Sequence, residues 1–346
     1  MANRPTHKPR RWLITGAAGF IGSNLARFLL ERGERVVGLD NFLTGKRENV
    51  ERLEKQFGRD FVFHEGDILD PESVAGAVRD CTTVAHLAAQ ISVLRSINEP
   101  EETHAINGTG FLNVYLASAR TGISSLVYAS SCAVYGDNPA LPLSEDAAPR
   151  PLSPYAATKL ANEAYAAGIA IAAPQMTAVG LRFFNIFGAW QDASGGYAAV
   201  IPKWINLLMS GRPPILYGDG TATRDYCHVD NVCEAIWRAA ERDEAAGHAV
   251  FNVGTGISTS LDTLYHMLRQ KLRDGGFRQD LPAPVYEPAR DGEIRQSVAD
   301  TTKAAADLNF RAAINLEEGL CRLLSEQHGL SFGSGPRGDA NNDIGL

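Results

Sequence analysis

Long hydrophobic runs are missing from this chain of 346 residues. Without a stretch of about 18 apolar residues, no helix can span a bilayer. The basic start, Arg4, Lys8, Arg10 and Arg11, is broken by Pro5 and Pro9 and lacks the apolar core and cleavage site of a secretory leader. A soluble cytoplasmic protein with no membrane partner is expected. Positive charge is in deficit: 33 Lys and Arg against 40 Asp and Glu give a formal charge of −7. That leaves no electrostatic footprint for nucleic acid. Cysteine is scarce. Cys81, Cys132, Cys227, Cys233 and Cys321 form no CxxC, and their odd number argues against a disulfide framework. The eight histidines include no HExxH or HxxxH pair, so no metal site is expected. His86, after the apolar Val84 and Ala85, reads as a strand-end core residue.

What is present is enough apolar residue for a large core: 45% of the chain. Apolar runs of four to six residues alternate with helical patterns through the first half, the mark of repeated βα units. Strands are expected at Trp12–Thr15, Arg35–Leu39, Phe61–His64, Thr83–Leu87, Leu126–Ala129 and Thr177–Phe183. Helices are expected at Ile21–Glu31, Pro71–Val78, Glu101–Arg120 and Tyr155–Ala172. The fold class is α/β: a doubly wound parallel sheet of the Rossmann type with a smaller C-terminal α/β domain. Residues 1–10 read as a flexible start, 11–186 as the dinucleotide domain, and 187–330 mainly as the substrate domain, with some segments able to return to the first. The tail, 331–346, is poor in apolar residues and expected to be disordered. In the second domain a helix near Leu261–Lys271 places Leu261, Leu264, Met267 and Leu268 on one stripe, with Thr259 and Asp262 spaced as a capping box.

Gly16, Gly19 and Gly22 follow the first strand and lead into the first helix, where free N–H groups and the helix dipole favour a pyrophosphate. Asp40 ends the second strand 18 residues after Gly22. A carboxylate there bonds the ribose hydroxyls and repels a 2′-phosphate, so NAD is favoured over NADP. Tyr155 and Lys159 stand four apart after Ser153-Pro154. If Pro154 opens a helix, both lie on one face and the ammonium sits near the phenol. A phenol titrates near 10, and bringing it to about 6 or 7 takes roughly 4 to 5.5 kcal/mol. One cation is too little; a cationic nicotinamide ring can add the rest.

The segments WLITGAAGFIGSNL, VVGLDNFLTG, HEGDI, VAHLAAQ, YASSCAVYGD, PLSPYAATK, GLRFFNIFG, YGDGTATRDYCHVDN and ARDGEIRQSVAD run in order from about residue 11 to about residue 325. Together they resemble the extended short-chain dehydrogenase/reductase family, and within it the NAD-dependent UDP-sugar 4-epimerases. The resemblance implies that Tyr155 takes the sugar 4-hydroxyl proton, Lys159 tunes it and anchors the ribose, and Ser131 relays or positions the proton. It puts Gly16, Gly19, Phe20, Ile21, Gly22, Asp40, Asn41, Gly45, Asp67, Ile68, Leu87, Ala88, Ala89 and Phe183 along the cofactor. Asn107 matches a residue near the cofactor and reads equally well as packing. Ser92, Asn185 and Gln191 would face the sugar or its diphosphate, Arg224 and Arg290 the diphosphate, and Glu293 the uridine ribose.

Two departures narrow the substrate. Dehydratases of the family place an Asp-Glu pair after the catalytic Ser/Thr, whereas Cys132 and Ala133 follow Ser131 here. Four residues after Glu293, where an aromatic ring restricts the pocket to plain hexoses, this chain has Ser297. Room for a 2-acetamido group makes UDP-GlcNAc and UDP-GalNAc the expected substrates, with UDP-glucose and a UDP-GlcNAc uronate as alternatives. The remaining readings are a nucleotide-sugar dehydratase or decarboxylase, a 4-keto-sugar reductase and a non-catalytic NAD-binding module. Ala161, Ala164, Ala167 and Gly168 would permit a homodimer through the Tyr155 helix and the long helix before it.

Overall fold

Seven short apolar runs become the strands of one parallel sheet. The computed structural model describes residues 9–192, 199–242, 247–289 and 294–332. The first six strands are β1 (Arg11–Thr15), β2 (Arg35–Asp40), β3 (Phe61–Glu65), β4 (Thr83–His86), β5 (Ser125–Ser131) and β6 (Thr177–Phe183). They are followed by β7 (Asn185–Phe187), β8 (Ile215–Tyr217), β9 (Thr223–Arg224), β10 (Tyr226–His228), β11 (His248–Val253), β12 (Thr259–Ser260) and β13 (Val285–Glu287). The large sheet has the order β11-β6-β5-β4-β1-β2-β3. Its central strands are mainly apolar because both faces are covered, while the edge strand β3 is partly exposed.

The first helices are α1 (Phe20–Glu31), α2 (Arg47–Phe57), α3 (Pro71–Ala77), α4 (Val93–Asn98), α5 (Pro100–His104), α6 (Gly110–Arg120) and α7 (Pro154–Ala172). After them come α8 (Val200–Met209), α9 (Val229–Ala240), α10 (Leu261–Asp274), α11 (Thr302–Asp307) and α12 (Leu316–His328). On one face of the sheet Leu25 and Leu29 of α1, Val50 and Leu53 of α2 and Val232 and Ile236 of α9 close a core around Trp12 and Ile14. On the other, Val74 of α3, Phe111 and Tyr115 of α6 and Ala166 of α7 pack on Leu13, Val84 and Leu126. A third core joins Trp204 of α8, Leu264 and Leu268 of α10, and Leu320 and Leu323 of α12.

Several expectations change in detail. The single helix expected over 101–120 is interrupted by a π-turn at Ala105–Thr109, between α5 and α6. Helix α10 is capped by Ser260, whose hydroxyl accepts the Thr263 N–H at 3.1 Å, rather than by Thr259. The seventh strand, β11, pairs with β6 and brings residues 248–253 back into the large sheet. Arg10 is tied down, with its N–H on the Glu34 carboxylate at 2.6 Å and its guanidinium over Trp237. Residues 1–8, 333–346 and the site candidates Arg290 and Glu293 lie outside the described residues. Among those described, no helix is long and apolar enough to cross a membrane.

Candidate active site

The strand order reverses between β1 and β4, the position where doubly wound sheets open a cleft at their carboxyl ends. Gly16 makes the turn after β1 with φ +74°, and a Cβ there would lie 2.7 Å from the Ala88 nitrogen. A Cβ on Gly22 would collide with the Gly16 carbonyl oxygen. Both glycines are therefore required for α1 to start this close to the sheet. Helix α1 has Gly19 as its N-cap, with no capping side chain and no acidic residue in its first turn. Its orphan N–H groups are the donors a pyrophosphate needs.

Asp40 closes the far side of the cradle. Its carboxylate accepts the N–H groups of Ala18 at 3.0 Å and Phe42 at 2.8 Å. Burial raises its pKa, against those backbone bonds. Gly45 is pressed against it, since a Cβ would stand 2.9 Å from an Asp40 oxygen. Asn41 donates to Asp67 at 2.9 Å, and Asp67 in turn fixes the Leu69 N–H. Ile68 packs beside Gly110, where a Cβ would meet its Cδ1 at 2.5 Å. Leu87 and Ala88 hang on Thr15 through its carbonyl and hydroxyl, and Ala89 continues that segment. His86 is a buried core residue bonded to Thr15 at 2.7 Å; burial, with Lys159 nearby, pushes its pKa down to about 3.

Asn107 lies in the π-turn with both ends of its amide in use. Its oxygen accepts the Gln90 N–H at 2.8 Å, and its nitrogen donates to the Gln90 carbonyl and the Thr158 hydroxyl. It braces the 87–90 segment against α7. A π-turn in such a place is a frequent companion of a functional site.

The chemistry gathers where β5 ends over α7. Ser153 caps α7 by accepting the Ala156 N–H at 3.1 Å and Pro154 fills the first position, a start worth about 1 kcal/mol. The Tyr155 hydroxyl lies near Ser131, whose oxygen accepts the Ala133 N–H at 3.1 Å. Lys159 donates to the Ala129 carbonyl at 2.8 Å, and its ammonium is 5.8 Å from the Tyr155 ring centroid. Burial pushes Tyr155 up to about 12, against the effect of the nearby Ser131, and pushes Lys159 down to about 8. Lys159 alone thus leaves the phenol protonated.

Phe183 stands opposite Ser131 in the β5–β6 register. Cys132, which composition treats only as a buried thiol, lies beside the buried Ser297. Burial keeps this thiol neutral, at about 11. Arg224 reaches the same wall electrostatically while donating to the Thr223 carbonyl at 2.8 Å. Asn185 is fixed on the Asp225 carbonyl through its N–H at 3.0 Å. Ser92 caps α4, accepting the Arg95 N–H at 3.1 Å. Gln191 donates to the Ile186 carbonyl at 3.2 Å and lines a 660 Å³ cavity with Phe42, Gly45, Lys46, Arg52 and Trp190. Among the described residues, no group of three or more His, Cys, Asp and Glu side chains is arranged to hold a metal.

Residues 12–254 match the NAD dependent epimerase/dehydratase family. The chain belongs to that family. Its cofactor is NAD. Its relatives include a UDP-glucose 4-epimerase of Mycolicibacterium smegmatis, 36% identical over 317 residues that cover 91% of this chain and 97% of the relative. A solved UDP-N-acetylglucosamine 4-epimerase from Methanobrevibacter ruminantium, in complex with UDP-N-acetylmuramic acid, superposes with a TM-score of 0.84 at 32% identity, covering 92% of this chain and 98% of the other. The Thermus thermophilus UDP-glucose 4-epimerase in complex with NAD gives 0.79 at 33% identity, over 92% and 99% of the two chains. The uncapped start of α1, the glycine turn and Asp40 fit that dinucleotide.

Proposed function

We propose that the chain is a UDP-sugar 4-epimerase, with UDP-GlcNAc and UDP-GalNAc as its preferred pair. The observation that carries the reading is the convergence of Ser131, Tyr155 and Lys159 beside the small Cys132–Ser297 wall. Bound NAD supplies the hydride acceptor and donor at C4 and the positive ring that favours a phenolate. Tyr155, beside Ser131, takes the 4-hydroxyl proton and later returns it. Lys159 anchors the ribose and keeps a positive charge near the phenol. Held through its diphosphate by Arg224 and Arg290, with Glu293 near the uridine ribose, the 4-keto sugar can turn its other face before the proton returns. No net oxidation results.

The finer choice of sugar rests on size. Ser297 is a small side chain where a ring would restrict the sugar, which on this reading makes room for a 2-acetamido group, and the similarity to a UDP-N-acetylglucosamine 4-epimerase supports it. UDP-glucose is the alternative, favoured by the names of several relatives. The test is to incubate the purified protein, without added cofactor, separately with UDP-GlcNAc, UDP-Glc and the UDP-GlcNAc uronate. Greater kcat/KM for the first supports the proposal, whereas preference for UDP-Glc refutes the inference from Ser297.

The same reading makes the enzyme a homodimer through α6 and α7. Ala164, Tyr165, Ala167 and Gly168 are exposed on α7, Leu116 is exposed on α6, and a Cβ on Gly168 would meet nothing within 4 Å. Sedimentation of Gly168→Trp as a monomer, against a dimeric parent, supports that interface; a monomeric parent refutes it.

A further inference from the structure

Consecutive residues at the end of β5 are tied to successive turns of α7. Ala129 gives its carbonyl to Lys159 at 2.8 Å and Ser130 donates its hydroxyl to Glu163 at 2.5 Å, while Ser131, next along the strand, lies near Tyr155. Positions 155, 159 and 163 are four apart and form one stripe of the helix. Glu163 is gripped a second time from β6. Arg182, opposite Ser130 in the sheet register, donates from Nε to Oε1 at 2.9 Å and from Nη2 to Oε2 at 2.7 Å. Both side chains are buried, at 6% and 5% exposure. The remaining guanidinium nitrogen reaches the Tyr135 hydroxyl at 2.9 Å and the Glu145 carbonyl at 3.2 Å. Tyr128 and His248, bonded to each other at 2.7 Å, are the other titratable groups whose charge Glu163 influences.

From this geometry we infer that Glu163 is a positioning residue for the acid–base pair. Together with Arg182 and Ser130 it sets the depth and rotation of α7 against β5, and thereby the distance from Tyr155 to Ser131 and the placement of Lys159. The inference rests on the reading of Tyr155 as the base. A two-pronged, charge-assisted fork fixes orientation as well as distance. Misplacement by about 1 Å at a reacting group can cost on the order of a hundredfold in rate. A buried pair whose only task was cohesion would need no register with the strand that carries Ser131.

The experiment compares Glu163→Gln, Ser130→Ala and Tyr155→Phe with the parent for UDP-sugar 4-epimerisation. It reads kcat, KM, the pH dependence of kcat, bound NAD and the thermal midpoint. Glu163→Gln, folded and melting cooperatively, should lose at least about tenfold in kcat with little change in KM, and the limb of its pH profile assigned to Tyr155 should move to higher pH. Ser130→Ala, which leaves the ion pair intact, should move both in the same direction by a smaller amount. Should Glu163→Gln not fold, Ser130→Ala decides. A folded variant with parental kcat and an unmoved limb overturns the positioning role, provided Tyr155→Phe is inactive. If Tyr155→Phe turns over normally, the reading of the base falls, and the inference with it.

Discussion

Lys159 sits one helical turn from Tyr155, its ammonium 5.8 Å from the ring centroid, yet its hydrogen bond goes to the Ala129 carbonyl. The contact orders the lysine without ionising the phenol. Burial drives the two groups apart, the tyrosine up to about 12 and the lysine down to about 8. The fold places the two groups side by side; on the proposed reading they become a base only with the positive charge that arrives with the cofactor.

That arrangement costs stability. The folded pKa of Lys159, about 8, lies below its ordinary value of 10.5. The unfolded chain therefore binds the extra proton between those values, and the NAD-free protein should gain stability from this group as pH rises from about 8 to about 10.5. Below that window the penalty is complete. Lys159→Met should melt at or above the parental temperature at pH 7, lose this part of the pH dependence, and lose at least about a hundredfold in kcat. Thermal melts of NAD-free protein across the window, with turnover measured alongside, check it. A large fall in melting temperature would show the buried ammonium to be a net support.

His86 gives the opposite edge of the pH range. Its folded pKa of about 3 lies below the ordinary 6.5, so the unfolded chain takes up a proton first as pH falls. Stability from the neutral, Thr15-bonded ring should be present above 6.5 and decline toward about 3. In His86→Asn the difference between denaturation midpoints at pH 7 and pH 4.5 should shrink. An unchanged difference would remove His86 from the acid response.

Ser297 lies beside Cys132, and on the proposed reading a ring at position 297 would take the room of the 2-acetamido group. Ser297→Tyr should lower kcat/KM for UDP-GlcNAc relative to UDP-Glc by about tenfold or more, the scale of steric discrimination in a pocket. Competition between the two substrates measures it. An unchanged ratio would mean the acetamido group lies elsewhere.

The parallel sheet, the glycine turn, Asp40 and the Tyr155–Lys159 spacing were legible because each depends on residues close in sequence. Helix α2 was not: only Asn49, Val50 and Leu53 are buried on it, too few to stand out from its charged residues. Strand β11 was hidden because His248 and Asn252 break its apolar run, leaving only Ala249–Phe251 between them. The break before α6 follows from Asn107, whose amide serves the Gln90 backbone; the apolar period runs through it undisturbed. The meeting of Cys132 with Ser297 and the grip of Arg182 on Glu163 likewise exist only in three dimensions. Glu163 did leave one trace, its position four residues beyond Lys159 on the same helical stripe.

The most direct measurement is turnover of Tyr155→Phe purified with its NAD. The phenyl ring keeps the packing on α7 and deletes only the hydroxyl near Ser131. The expected result is full NAD content with kcat reduced by at least about a hundredfold. Near-normal 4-epimerisation by a variant that still holds NAD would contradict the account.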